Sequence, residues 1–140
     1  MTDVVKTDAI GAMSPRKTVT EEYIEGFRHG DHARILARLT DDVIWDIHGH
    51  VHLVGKHAFD EEIENEAFTG RPMLTIDRMV EEGDTVVANG TGDARLTDGT
   101  PFRFVFCDVF TFRGDAICRV ESYVVPVGGR MAGTDGGPAI

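Results

Sequence analysis

One carboxylic acid lies within a row of phenylalanines in the segment FRFVFCDVFTF, residues 102–112. Side chains two residues apart share a face of a β-strand, so Asp108 lies in line with Phe104, Phe106 and Phe110. Rings on both sides would remove water from the carboxyl group, and an unpaired charge in such surroundings costs more than protonation. We therefore predict that Asp108 is neutral at pH 7 and donates a hydrogen bond to a carbonyl or a developing oxyanion.

Asp108 and Tyr23 are both candidate hydrogen-bond donors, and each could instead serve only the packing of the core. Asp108 could instead accept from a buried backbone amide, or pair with a cation such as Arg103 or Arg119. Tyr23 shares a predicted helix face with Phe27, where it is either an ordinary core aromatic or a hydroxyl donor that faces a pocket. The sequence leaves these alternatives open.

Three histidines alternate in the run HGHVH, residues 48–52. On a straight strand this spacing would let three imidazoles meet one metal ion, but Gly49 and the expected turn interrupt the strand. We therefore expect a polar loop at the rim of a cavity and no metal site. A bulge near Gly49 would turn His48 inward as a base near pH 7, whereas strand parity points Asp46 away from the cavity.

Caps and apolar spacing predict three helices in the first half of the chain. The first begins with a capping box at Thr18 and ends at Gly30, and Asp31 caps the second. The third follows Gly55 and ends at Gly70, and its acidic run DEEIENE, residues 60–66, is expected to face solvent.

Strands follow these helices. Residues 43–49, VIWDIHG, form a short strand before the third helix, and four later strands form an antiparallel meander with turns at 83–84, 98–99 and 114–115. Segregated helices and strands define an α+β domain with three helices packed on the concave face of a curved antiparallel sheet. The pattern does not decide which face of the last strand meets the pocket, so Glu121 and Tyr123 are further candidates, Glu121 as a base.

Composition limits the class of protein. The 140 residues suit one domain over 18–127, with flexible segments at 1–17 and 128–140. A net charge of −10 argues against nucleic acid or anionic membrane as a partner. No apolar run of about 18 residues and no signal pattern occur, so we expect a cytoplasmic protein without a cofactor. Cys107 and Cys118 lack CxxC spacing and are predicted to be buried core thiols.

The order of elements resembles the nuclear transport factor 2-like superfamily, which includes ketosteroid isomerases and SnoaL-like polyketide cyclases. The resemblance is carried by EYIEGFRHGD (22–31), LTDDVIWDIHG (39–49), LVGKHAF (53–59), EEGDTVVANG (81–90) and CDVFTFRGDAICRVESY (107–123). It implies a cone-shaped roll, in which the helices and a mixed or antiparallel sheet enclose an apolar cavity. It also implies a homodimer formed through the outer face of the sheet, and the odd-numbered residues around Asp108 agree with a covered outer face.

The resemblance further implies roles for single residues. Tyr23 and Asp108 fall where the isomerases keep their two hydrogen-bond donors, the second of them a protonated aspartic acid. The position of the isomerase base is held by Ile47, which cannot accept a proton. The cavity wall is expected to comprise Phe27, Trp45, Ile47, Phe104, Phe106, Phe110 and Val124.

Two functions follow as expectations. The first is a small enzyme that isomerises, cyclises or dehydrates an apolar ring compound bearing a carbonyl or hydroxyl group, with Tyr23 and Asp108 as donors and His48 as a candidate base. The second is a ligand-binding or structural member of the same fold without catalysis, which the apolar Ile47 favours.

Overall fold

A long helix opens the part of the chain described by the computed structural model, which is residues 12–128. Helix α1 spans Pro15–His29, and the Ser14 hydroxyl accepts a hydrogen bond from the Lys17 amide at 3.1 Å. The predicted cap at Thr18 is therefore wrong, whereas the end at Gly30, with φ of 63°, is confirmed. The expectations for residues 1–11 and 129–140 concern segments outside the described residues.

Two short helices follow. Helix α2, His32–Leu36, is capped by Asp31 as predicted. It packs closely on α1, because a Cβ at Gly26 would lie only 2.5 Å from Cγ1 of Ile35. Helix α3, Lys56–Ile63, ends several residues before the predicted end at Gly70. None of the helices within residues 12–128 has the length and apolar content that a membrane crossing requires.

Six strands form one curved, unclosed mixed sheet in the order β2-β1-β6-β5-β4-β3. The antiparallel meander of β3 to β6 is confirmed, whereas β1 pairs in parallel with β6. The first strand of the sheet thus lies beside the last, and the α+β roll is confirmed. The strands are β1 Leu39–Ile47, β2 Val51–Val54, β3 Phe68–Glu82, β4 Thr85–Leu96, β5 Pro101–Arg113 and β6 Ala116–Pro126.

The histidine run forms a hairpin rather than the predicted loop. The His50 amide donates to the Ile47 carbonyl at 2.9 Å, and Gly49 has φ of 82°, which glycine adopts without strain. Strand β2 then begins at Val51 and pairs with β1. Among residues 12–128, no three His, Cys, Asp or Glu side chains are grouped so as to hold a metal ion.

Strand β3 starts earlier than the sequence predicted and is irregular at its start. Its register against β4 shifts between Thr69 and Met73, Gly70 has φ of 74°, and Pro72 lies within the strand. Proline is tolerated because β3 is an edge strand, where a missing amide leaves no partner unsatisfied. The sequence prediction of a helix up to Gly70 was misled by these two residues, which here mark a bulge.

The outer face of the sheet exposes apolar side chains. Val80, Val105 and Val125 are 51%, 38% and 54% exposed. Cys107 and Cys118 are free thiols of intermediate exposure, so the prediction that they are buried in the core is wrong. This surface is unusually apolar for strands that face away from the core.

Substitution of Gly90 by Ala should destabilise the fold. A Cβ at this position of β4 would lie 1.8 Å from the Thr75 carbonyl oxygen, so the β3–β4 pairing would have to shift. Overpacking of this kind costs roughly 1–3 kcal/mol, which urea unfolding would measure. Thr91→Ala, at the exposed neighbouring residue, is the control, and equal losses in the two variants would contradict the steric account.

Candidate functional site

A cavity of about 510 Å³ lies between the helices and the concave face of the sheet. Residues from α1, β1, β5 and β6 form its inner part, and the segment 62–72 forms much of its outer part. The inner residues are Tyr23, Ile24, Phe27, Trp45, Ile47, Phe104, Phe106, Asp108, Ser122 and Val124. The wall is therefore mainly apolar and aromatic, with a few polar groups, as small-molecule sites usually are.

The sequence predicted ten residues at the cavity: two donors, the candidate base His48 and seven wall residues. Two of these ten do not line it. Phe110 is fully buried behind it, with its ring centroid 5.1 Å from that of Tyr23 in an edge-on contact. It supports the wall without forming it. His48 lies on the opposite face of the sheet and is discussed below. The remaining eight predicted residues all border the cavity.

Stacked rings hold the β1 side of the wall. The rings of Trp45 and Phe59 stack with centroids 4.2 Å apart, and Phe27 meets Trp45 edge-on at 6.0 Å. Phe59 is fully buried, so α3 is fixed to the sheet through this contact. The ring contacts place the indole N–H of Trp45 toward β6, which lies beside β1.

Tyr23 and Asp108 are the titratable residues of the inner cavity, and Asp108 has the pKa nearer to neutrality. Desolvation raises the pKa of its carboxyl group from 3.8 to about 7, against a smaller opposing effect of a hydrogen bond from Ser122. The residue keeps intermediate exposure because it borders the cavity. The sequence predicted a fully neutral acid, but a pKa near 7 means that the acid and the carboxylate are both populated at neutral pH.

No cation in the described residues neutralises Asp108. The two arginines that the sequence offered as partners lie elsewhere, since Arg103 bonds Asp93 at 3.2 Å and Arg119 bonds Asp46 at 2.7 Å. The desolvation of Asp108 is therefore not offset by an ion pair, which is why its pKa is raised.

Ser122 joins Asp108 to the indole of Trp45. The two strands pair Asp108 directly opposite Ser122, and the Ser122 hydroxyl accepts from Trp45 Nε1 at 3.0 Å. Sequence reasoning missed this serine, because its place on the same strand face as Val120 and Val124 marked it as a core position. The register of β5 against β6 is what brings its hydroxyl to Asp108.

Tyr23 borders the same inner cavity and is 2% exposed. Burial, together with the nearby charge of Asp108, raises the pKa of its phenol well above the ordinary value of 10. The hydroxyl therefore keeps its proton throughout the physiological range. A phenol in this state can donate a hydrogen bond to a ligand oxygen in the cavity.

The three candidate bases lie together on the outer face of the sheet. His48 Nε2 is 3.5 Å from Glu121 Oε1, and the imidazole lies on the Tyr123 ring with centroids 4.5 Å apart. Asp46 bonds both His52 and Arg119, and the hydrogen bond of His52 is the main reason that its pKa is lowered. No bulge turns His48 inward, and none of the three candidates borders the cavity.

Three charged residues border the outer part of the cavity. The sequence pattern predicted that the acidic run faces solvent, and it did not indicate Arg71. Glu62 and Glu64 border it, so the acidic run is not only a solvated face, and Arg71 on the β3 bulge borders it too. Phe68 and Leu74 complete the apolar wall on that side. The early end of α3 is what brings these residues to the mouth.

Replacement of Asp108 by Asn should change how stability depends on pH. Asp108 binds its proton more tightly in the folded protein than in the unfolded chain, so its favourable contribution is complete below about pH 4 and decreases as pH rises to about 7. We expect the free energy of unfolding of Asp108→Asn, relative to the unmodified protein, to rise over that range by at most about 4 kcal/mol. Urea titrations at about pH 4, 6 and 8 would measure it.

Asp46→Asn is the control, because the pKa of Asp46 is lowered and its contribution is lost only as the pH falls below the ordinary range of a carboxyl group. A pH-independent difference between Asp108→Asn and the unmodified protein would show that Asp108 titrates as an ordinary carboxylate.

Known proteins match most of the described chain. No curated protein matches the chain. Solved structures do match it, and three of them illustrate the similarity. TerC, co-crystallised with polyporic acid, is 25% identical, with 78% of this chain and 90% of that chain covered and a TM-score of 0.71. A nuclear transport factor 2-like protein from Anabaena variabilis is 25% identical, with coverages of 85% and 98% and a TM-score of 0.72.

The third solved structure has a similar fold and is that of an epoxide hydrolase. An LEH-like epoxide hydrolase from M. tuberculosis is 17% identical, with coverages of 79% and 83% and a TM-score of 0.70. In addition, the family model of the SnoaL-like domain matches residues 20–120. The chain therefore belongs to the SnoaL-like family, within the nuclear transport factor 2-like superfamily.

Proposed function

We propose that the protein is a small-molecule enzyme that moves a proton on an apolar ring compound bearing a carbonyl or hydroxyl group. The observation that supports this proposal is Asp108, a carboxyl group with a pKa of about 7 that borders an apolar cavity of about 510 Å³. A group that titrates near the working pH can both take and return a proton, which is what general acid and base catalysis requires.

Asp108 has a use in each of its two forms. The acid donates a hydrogen bond to the oxygen of the bound compound, and the carboxylate removes a proton from the carbon next to a carbonyl. The second role replaces the base that the sequence sought in His48, Asp46 or Glu121, since these lie on the outer face. Ile47 lines the cavity and contributes only apolar surface.

Tyr23 is the proposed second donor. Its phenol keeps its proton, so it can hold the substrate oxygen while negative charge develops there. Removal of a proton beside the carbonyl then gives an enolate held by Tyr23, and return of the proton from Asp108 to a different atom completes an isomerisation. Cyclisation and dehydration need the same two groups.

A ligand-binding role without turnover is the second candidate function. It is favoured by Ile47, an apolar residue at the position where the related isomerases keep a base. The names of the similar structures agree with either function, because co-crystallisation of TerC with polyporic acid concerns binding alone.

The two functions differ in what Asp108→Asn does to a compound that binds. Trp45 is the single tryptophan of the chain and borders the cavity, so its fluorescence reports occupancy. Among enones and hydroxylated aromatic ketones that change this fluorescence, we expect at least one to be converted. Asp108→Asn should then lower kcat by about 10²-fold or more, and Tyr23→Phe by a similar factor.

The pH profile tests the base role of Asp108. If the carboxylate starts the reaction, kcat/KM rises with pH through about 7, and this step is absent in Asp108→Asn. His48→Ala, on the outer face, is the control and should retain full activity. Binding without conversion of any of these compounds would favour the second function.

We also propose that the outer face of the sheet forms a homodimer. The support is an apolar groove of about 610 Å³ on that face, bordered by the exposed Val80, Val105 and Val125. Exposed apolar patches of this kind mark association sites more often than chance. The proposal is independent of the catalytic one, because the two surfaces lie on opposite sides of the sheet.

A charge placed in the groove should disrupt this dimer. We expect Val105→Asp and Val125→Asp to sediment as monomers at concentrations where the unmodified protein is dimeric, because a buried unpaired carboxylate is costly. Val54→Asp is the matched control, since Val54 is 60% exposed on β2 and lies outside the groove. A monomeric unmodified protein would contradict the proposal.

A further inference from the structure

The mouth of the cavity holds two carboxylates that are already paired. Glu62 Oε2 lies 3.3 Å from His50 Nε2 and accepts from Asn65 Nδ2 at 3.1 Å. Glu64 Oε2 lies 3.2 Å from His32 Nε2. The three partners, His50, Asn65 and His32, lie outside α3 and hold these carboxylates at the edge of the cavity.

Arg71 is the one cation among the cavity-lining residues that the structure describes. Its guanidinium forms no ion pair or hydrogen bond with a side chain of residues 12–128. Five other arginines of this part of the chain are paired with carboxylates: Arg28, Arg34, Arg103, Arg113 and Arg119. Three more bond to other oxygens, Arg16 and Arg95 to backbone carbonyls and Arg78 to the Asn89 side chain. Arg71 differs from these eight arginines because its donors are free of such bonds within the described residues.

The backbone explains how Arg71 reaches the mouth. Gly70 and Pro72 flank it at the bulge of β3, and a bulge redirects the side chains of an edge strand. The guanidinium passes over the end of α1, where a Cβ on Gly30 would lie 3.2 Å from Nε of Arg71 and 3.7 Å from Oε2 of Glu64. Glu64 is therefore near, but its carboxylate is engaged with His32.

We propose that Arg71 binds an anionic oxygen group, such as a carboxylate, on the end of the ring compound that remains at the cavity mouth. This rests on the proposed function, in which the other end of the compound meets Asp108 and Tyr23. A planar guanidinium with free donors matches a carboxylate in two parallel hydrogen bonds. The surrounding acidic protein would otherwise repel an anion, so a local cation is needed to admit one.

The substrate class is thereby narrowed to elongated, mainly apolar ring compounds with polar groups at both ends. One end carries a carbonyl or hydroxyl oxygen for the inner donors, and the other carries a negative charge. The apolar middle is matched by the phenylalanine wall, which includes Phe104 and Phe106.

The test uses two probes, 6-hydroxy-2-naphthoate and its methyl ester, in calorimetric titrations at a pH below the pKa of Asp108. They share the ring system and the hydroxyl group, but only the first is charged. We expect the unmodified protein to bind the carboxylate at least 10-fold more tightly than the ester. Arg71→Gln should weaken carboxylate binding by about 10- to 100-fold and leave the ester unchanged, and Arg71→Lys should recover part of the loss.

Arg78→Gln is the matched control, because it makes the same change in net charge on the outer face. A loss in Arg78→Gln equal to that in Arg71→Gln would assign the effect to overall charge and overturn the inference. So would equal affinity for the two probes, or failure of both to bind. These are binding measurements, so a finding that Asp108→Asn leaves turnover unchanged would reject the proposed catalysis without deciding the role of Arg71.

Discussion

The burial of Asp108 without a cation is the constraint on which the rest of the site depends. Its pKa of about 7 persists because no cation of the described residues pairs with it: Arg103 bonds to Asp93 and Arg119 bonds to Asp46. A cation in the cavity beside Asp108 would fix the carboxylate form and remove the group that titrates near neutrality. The placement of the Asp46–Arg119 ion pair on the outer face, away from Asp108, is thus an electrostatic requirement as well as a packing one.

The parallel pairing of β1 with β6 is the second requirement. It places Trp45 beside β6, where the indole reaches Ser122 and, through it, Asp108. These residues lie far apart in the sequence, so the inner cavity forms only when the first and last strands of the sheet meet. Such long-range pairing makes the site a consequence of the whole fold and of no single motif.

Local patterns predicted much of this architecture. Period-two alternation predicted the meander and the inward side of Phe104, Phe106 and Asp108, and strand parity predicted that Asp46 points outward. What depends on pairing could not be predicted, because the sequence of one strand does not contain its register. Ser122 is the clearest case, since only its position opposite Asp108 gives it a role. Gly70 and Pro72 misled the prediction because both mark bulges in edge strands as well as helix ends.

The hydrogen bond from Trp45 to Ser122 has a consequence for where the proton of Asp108 resides. The Ser122 oxygen accepts from the indole, so its own hydrogen is directed to one carboxyl oxygen of Asp108. That oxygen is thereby occupied, and in the acid form the proton belongs on the other oxygen. The acid proton of Asp108 is therefore on one defined carboxyl oxygen before any ligand binds. A ligand that enters meets a donor of fixed orientation, and none of its binding energy is spent on turning the acid toward it.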